Sequence, residues 1–160
     1  MESRLLPRDK GCYMLVVSVN QDTLVSSRSR RWRLPRASYL YVGSAGGPGG
    51  LAARISRHLR RDKKPFWHID YLTINNVVEV EAIVFSTRSY GVSVEARLSE
   101  CLLSKGLKPI EGFGSSDDKR ATSHLYMACC LQEALSIAVY CMLETLGSAE
   151  VLTPPYKILR

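Results

Sequence analysis

Two short runs of β-forming residues, each pairing a tyrosine with a nearby glycine, constrain the fold more than any other feature of this chain. The first begins at Gly11-Cys12-Tyr13 and the second ends at Tyr41-Val42-Gly43. Residues 12–19 are rich in β-branched and aromatic side chains and read as a strand. Asn20-Gln21-Asp22 signals a turn, and Thr23-Leu24-Val25 reads as a short second strand. Residues 38–43 form a further strand, expected antiparallel to the first. A glycine-rich loop, 44–50, then feeds a helix from about Leu51 to Arg61. Leu51, Ile55 and Leu59 give it an apolar stripe at i, i+4 and i+8, with Arg54, His58 and Arg61 on its flank.

The remaining chain continues the alternation. Trp67-His68-Ile69-Asp70-Tyr71-Leu72 follows Pro65 as a short helix. Residues 77–85 alternate as a strand. Ser93 is the expected N-cap of a helix over about 94–105, with Gly106 closing it. Residues 109–123 read as loop, Leu125–Cys130 as a strand and 131–146 as an apolar-rich helix. The tail at Thr153-Pro154-Pro155-Tyr156 reads as extended. No repeat or linker divides the 160 residues, a length that suits one domain with a real core. The expected class is α+β, a small antiparallel sheet of three or more strands flanked by helices.

Charge narrows the partner. The net charge is +7, and it is concentrated. Between positions 28 and 64 stand Arg28, Arg30, Arg31, Arg33, Arg36, Arg54, Arg57, Arg60, Arg61, Lys63 and Lys64, against Asp62 alone. That segment exceeds the charge of the whole chain. Such clustering suits a phosphate backbone, whose counterions are released on binding. A solvated charged face is the plainer alternative. The stretch 28–36 reads as an exposed connection.

The five cysteines, Cys12, Cys101, Cys129, Cys130 and Cys141, show no Cys-x-x-Cys spacing. That argues against a zinc cluster or a disulfide framework. Cys101 and Cys141 read as small core residues. The first residues lack a secretory signal, and no apolar run is long enough to span a membrane. The cytoplasm is the default expectation.

The order strand, strand, helix, strand, helix, with Gly11-Cys12-Tyr13, Tyr41-Val42-Gly43 and Leu51-Ala52-Ala53-Arg54-Ile55, resembles the core of the GIY-YIG nuclease superfamily. Within it, five blocks are similar to a small, largely archaeal branch: Tyr41–Ala45, Arg57-His58-Leu59, Trp67–Leu72, Phe113-Gly114-Ser115-Ser116-Asp117 and Ser123-His124-Leu125. Some members of that branch are fused to base-excision DNA glycosylases. Asp118, Lys119 and Arg120 stand where relatives commonly place cysteines. The resemblance covers roughly residues 10 to 130.

What the resemblance implies is a metal-dependent endonuclease acting on DNA, structured or damaged DNA included, in the company of DNA-repair proteins. Glu95 would hold a single Mg²⁺ or Mn²⁺, which tolerates one carboxylate and several waters. Arg54 would grip the scissile phosphate through its planar fork. Tyr13 or Tyr41 would position or deprotonate the nucleophile, its pKa lowered by Arg54, the metal or His58. Arg28, Arg30, Arg31, Arg33, Arg57, Arg60, Arg61, Lys63 and Lys64 would bind nucleic acid. His68, Asp70, Ser115, Ser116, Asp117 and His124 would line the site.

Each residue has a plainer reading. The tyrosines serve equally as buried strand aromatics. Glu95 suits a helix's first turn electrostatically. His68 and Asp70 share a face only if their segment is extended. Trp67 reads as a core anchor rather than a stacking platform. A non-catalytic nucleic-acid-binding module is the alternative function, and a protein-interaction domain with a basic face is a third.

Overall fold

A computed structural model of the chain describes residues 5–114 and 123–156. Ser115, Ser116 and Asp117 lie outside the described residues. In chain order the elements are β1 (Gly11–Val19), β2 (Thr23–Ser26), β3 (Arg31–Leu34), β4 (Ala37–Ala45), α1 (Gly50–Leu59), α2 (His68–Thr73), β5 (Val78–Ser86), α3 (Val92–Ser104), β6 (Lys108–Pro109), β7 (Leu125–Ala128), α4 (Leu131–Leu146) and β8 (Glu150–Leu152). The class is α+β, as expected. The main sheet has six strands in the order β6-β7-β4-β1-β5-β8, and β2 and β3 pair separately. Every pairing is antiparallel.

β1 is central, and nearly all of it is buried. Its apolar run is unbroken because both faces of the sheet are covered. Tyr13, Leu15 and Val17 face a core completed by Leu51 and Ile55 of α1 and Ile69 and Leu72 of α2. Cys12, Met14 and Val16 face a second core with Val94, Leu98 and Leu102 of α3 and Ala134, Ala138 and Met142 of α4. Truncating a fully buried side chain such as Ile55 to alanine in a core of this kind costs about 2–5 kcal/mol.

Several expectations are corrected. The arginine-rich stretch is a hairpin strand, not a connection. Trp32 and Leu34 of β3 turn inward, and Arg31 and Arg33 outward. Trp32 pins the hairpin to the core, donating from Nε1 to the Glu111 carbonyl at 3.0 Å and packing on Phe113. α3 begins at Val92 with Gly91, φ +111°, as its N-cap, so Ser93 caps nothing. Gly91 accepts the Glu95 N–H at 3.0 Å. Cys101 and Cys141 form a disulfide joining α3 to α4, their Cα atoms 5.7 Å apart. No described helix is long and apolar enough to cross a membrane.

α1 carries no side-chain cap at its N-terminus. Its first free N–H groups are satisfied by the segment that leads into β1. Leu51 N–H donates to the Asp9 carbonyl at 2.9 Å and Ala52 N–H to the Pro7 carbonyl at 2.8 Å. Gly50, at φ +56°, permits this approach, because a Cβ there would collide with the Arg8 and Asp9 carbonyls. The helix is thereby moored over the Tyr13 face of the sheet.

Candidate active site

The two motif tyrosines lie on neighbouring antiparallel strands and on one face. β1 and β4 pair Tyr13 with Gly43 and Leu15 with Tyr41, and alternation puts Tyr13, Gly43, Leu15 and Tyr41 on the same side. Gly43 is there for space: a Cβ would meet the Tyr13 ring and hydroxyl at 2.5 Å. Gly11 is likewise excluded from carrying a side chain by the Ser86 carbonyl and Leu51.

Beneath that glycine gap, the Tyr13 hydroxyl and His58 Nε2 are 2.6 Å apart. Both residues are about 1 % exposed, so this pair forms the floor of the site. Burial pulls His58 down to about 3, with Lys63, Arg54 and Arg57 adding to the effect and Asp70 opposing it. His58 is therefore a neutral imidazole. Burial raises the Tyr13 phenol well above its ordinary range, and Tyr41 and Glu95 push it the same way. The expected lowering of a tyrosine pKa is not what the surroundings produce: Arg54 pulls the right way but is outweighed. As the site stands, the phenols orient and donate rather than act as ready bases.

Tyr41 is less enclosed than Tyr13. Its ring stands edge-on to His58 at 6.1 Å and to Phe113 at 6.4 Å. Glu95 is the strongest charge raising its pKa after burial, and Arg54 the main one lowering it. Arg54 and Glu95 thus act on both phenols, from α1 on one face of the sheet and from the first turn of α3 on the other. Among the described residues, Glu95 makes no side-chain hydrogen bond or ion pair. Arg54 has its guanidinium 4.5 Å above the Trp67 ring, with no other side-chain partner among the described residues. Its five N–H donors make no hydrogen bond among the described residues.

Other basic residues also bond within the fold. Arg57 donates to Asp70 Oδ2 at 2.7 Å. Arg61 donates to the Asn75 and Val78 carbonyls, both at 2.6 Å. Lys63 is 3 % exposed at its side chain and bonds the Arg57 and His58 carbonyls and Thr73 Oγ1. All three tie α1 and the segment after it to α2 and β5, and of the three only the Lys63 side chain is closed to solvent. Arg28, Arg30, Arg31, Arg33, Arg60 and Lys64 keep some or all of their surface in solvent. Arg30 lies over Trp32 at 5.8 Å.

Asp70 is the hub of those ties and is fully buried. Its Oδ2 also accepts the Phe66 and Trp67 N–H groups at 2.9 and 3.0 Å. Burial pushes its carboxyl up, but those bonds, Arg57 and Lys63 outweigh it and hold the carboxyl below its usual range. His68 faces elsewhere, as a helical segment requires. Its Nδ1 accepts the Gly114 N–H at 2.8 Å, and its ring packs on Trp32. His124 lies beside Tyr41, with ring centroids 6.5 Å apart. Trp67 is 36 % exposed and packs with the guanidiniums of Arg54 and Arg57, not in the core. The sequence offers no local signal for this exposure.

A family model described as "Domain of unknown function DUF123" matches residues 12–146. The chain belongs to the DUF123 family. Comparison with curated proteins and with solved structures returned no match. The DUF123 match begins at the residue before Tyr13 and takes in Tyr41, Arg54, His58, Asp70 and Glu95.

The donor set bears on a metal. Among the described residues no group of three or more histidine, cysteine or acidic side chains could hold one. Glu95 offers an unpaired carboxylate whose charge reaches both tyrosines. That suits a hard cation that keeps most of its waters, and not a caged ion.

Proposed function

We propose that this chain is a divalent-metal-dependent endonuclease that hydrolyses DNA phosphodiesters, built as a GIY-YIG-like domain. The observation that carries the reading is the placement of Tyr13 and Tyr41 on one face of paired strands, against the helix that carries Arg54 and the His58 bonded to Tyr13; the charges of Arg54 and Glu95 are both felt at the two phenols. Mg²⁺ or Mn²⁺ on Glu95 would neutralise phosphate charge and acidify water. Arg54, whose guanidinium has no side-chain partner among the described residues but the Trp67 ring, grips the non-bridging phosphate oxygens. Tyr41 holds the attacking water by a hydrogen bond. Tyr13 and His58 fix the floor on which Tyr41 and Arg54 are aligned. The exposed hairpin arginines carry the flanking backbone.

The test incubates purified protein with linear, nicked, branched and base-damaged DNA in Mg²⁺, Mn²⁺ or EDTA. Cleavage is expected with either metal and none in EDTA. Glu95→Gln is expected to abolish turnover while leaving DNA binding intact. Wild-type protein that binds DNA yet cleaves none of these substrates would favour a binding module instead.

A further inference from the structure

Beside the tyrosine site lies a groove of about 750 Å³ between the hairpin tip and the segment that enters α2, lined in part by Arg28, Arg57, Lys64, Phe66 and Trp67. We propose that this groove receives an unpaired nucleotide of the DNA, its base stacked on Phe66 and its backbone held by Arg28 and Lys64. The proposal rests on the DNA-binding part of the function above and adds a substrate class to it, DNA with a single-stranded segment next to the cleaved bond.

Phe66 is 77 % exposed, yet it does not sit on a loose loop. Its N–H and that of Trp67 are both bound by Asp70 Oδ2, which Arg57 fixes in turn at 2.7 Å. A large apolar ring clamped in an exposed position is presented, not frayed. Phe66 and Trp67 meet edge-to-face at 5.3 Å, which leaves the outer face of Phe66 open for a flat partner. Among the described residues, no acidic side chain lines the groove. An aromatic platform beside cations is the chemistry of single-strand binding. The volume falls in the range of small-ligand sites.

Continuity with the tyrosine site strengthens the assignment. Trp67 both lines the groove and carries the Arg54 guanidinium over its ring. A strand whose phosphate rests on Arg54 therefore runs past Trp67 toward Phe66. A fully paired duplex offers no free base to that ring.

Binding measured by fluorescence anisotropy in EDTA separates this proposal from catalysis. The probes are a single-stranded oligonucleotide, a duplex with a single-stranded overhang and a blunt duplex. Phe66→Ala is expected to weaken the first two about tenfold and to leave the blunt duplex unchanged. Phe66→Trp is expected to restore affinity. A Phe66→Ala protein that binds all three as the wild type does would overturn the proposal and point to a protein ligand for the groove. Uniform weakening on all three would overturn it as well. Selective weakening in a protein that never cleaves DNA would keep the groove and remove only the nuclease.

Discussion

Tyr13 hydroxyl and His58 Nε2 meet at 2.6 Å in a site closed to solvent, and the histidine is held neutral. The unfolded chain takes up a proton near the ordinary value of about 6.5, whereas the folded protein resists it down to about 3. The contribution of His58 to stability is therefore full above about pH 6.5 and is lost as pH falls toward 3. In that window stability should drop by up to about 1.4 kcal/mol per pH unit. Urea denaturation from about pH 4 to about pH 6, inside that window, should show a flatter profile for His58→Gln than for the wild type. Identical slopes would mean that His58 titrates normally in the fold.

Asp70→Ala should be among the most damaging single changes. It leaves Lys63, almost without solvent, and Arg57 facing no counter-charge. Removing one partner of a buried pair costs about 3–5 kcal/mol. A companion Lys63→Met should recover part of the loss in chemical denaturation. A shift below about 1 kcal/mol for Asp70→Ala would contradict the hub assignment.

Gly43→Ala should displace the Tyr13 ring and break its bond to His58, because the added methyl overlaps that ring. In a Tyr13→Leu background the same alanine should be far better tolerated. A double-mutant cycle on thermal stability reads the coupling directly. Additive effects would show that the glycine is needed for something other than Tyr13.

Salt dependence should single out the hairpin. Replacing Arg28, Arg31 and Arg33 by alanine should lower the slope of log K against log salt by about 0.9 for each phosphate left unneutralised. Lys63→Met should leave that slope unchanged, since Lys63 is turned inward. The reverse pattern in anisotropy titrations would move the footprint off the hairpin.

Arg54→Lys should retain fold and melting temperature yet fail to support cleavage. An ammonium reproduces neither the bidentate fork nor the guanidinium contact with the Trp67 ring. Circular dichroism and a cleavage assay on the same preparation check both halves. Wild-type turnover by the lysine variant would exclude a bidentate grip on phosphate.

Most elements are legible in the sequence because their signals are local. The β1 and β4 runs, the stripe on α1 and the apolar periodicity of α4 each lie within a few turns of chain. β3 is hidden by its arginines, which suggest an exposed connection. Yet Arg31-Trp32-Arg33-Leu34 alternates out and in like any half-buried strand. The inward turn of Lys63 depends on Asp70 and Thr73, and the Cys101–Cys141 bond on two helices packing together. Neither leaves a mark at the residues themselves. Tyr13, Tyr41, Arg54 and His58 are legible through motif resemblance, but the closure of the Tyr13–His58 pair from solvent belongs to the packed layers alone.

The mooring of α1 has a consequence for where the domain can be cut. The family match starts at residue 12, whereas the carbonyls that receive the first N–H groups of α1 belong to Pro7 and Asp9. A fragment trimmed to the family boundary would keep every motif side chain from Tyr13 onward and still uncap the helix that carries Arg54 and His58. Its working unit therefore reaches upstream of its signature, into residues whose side chains matter less than their backbone.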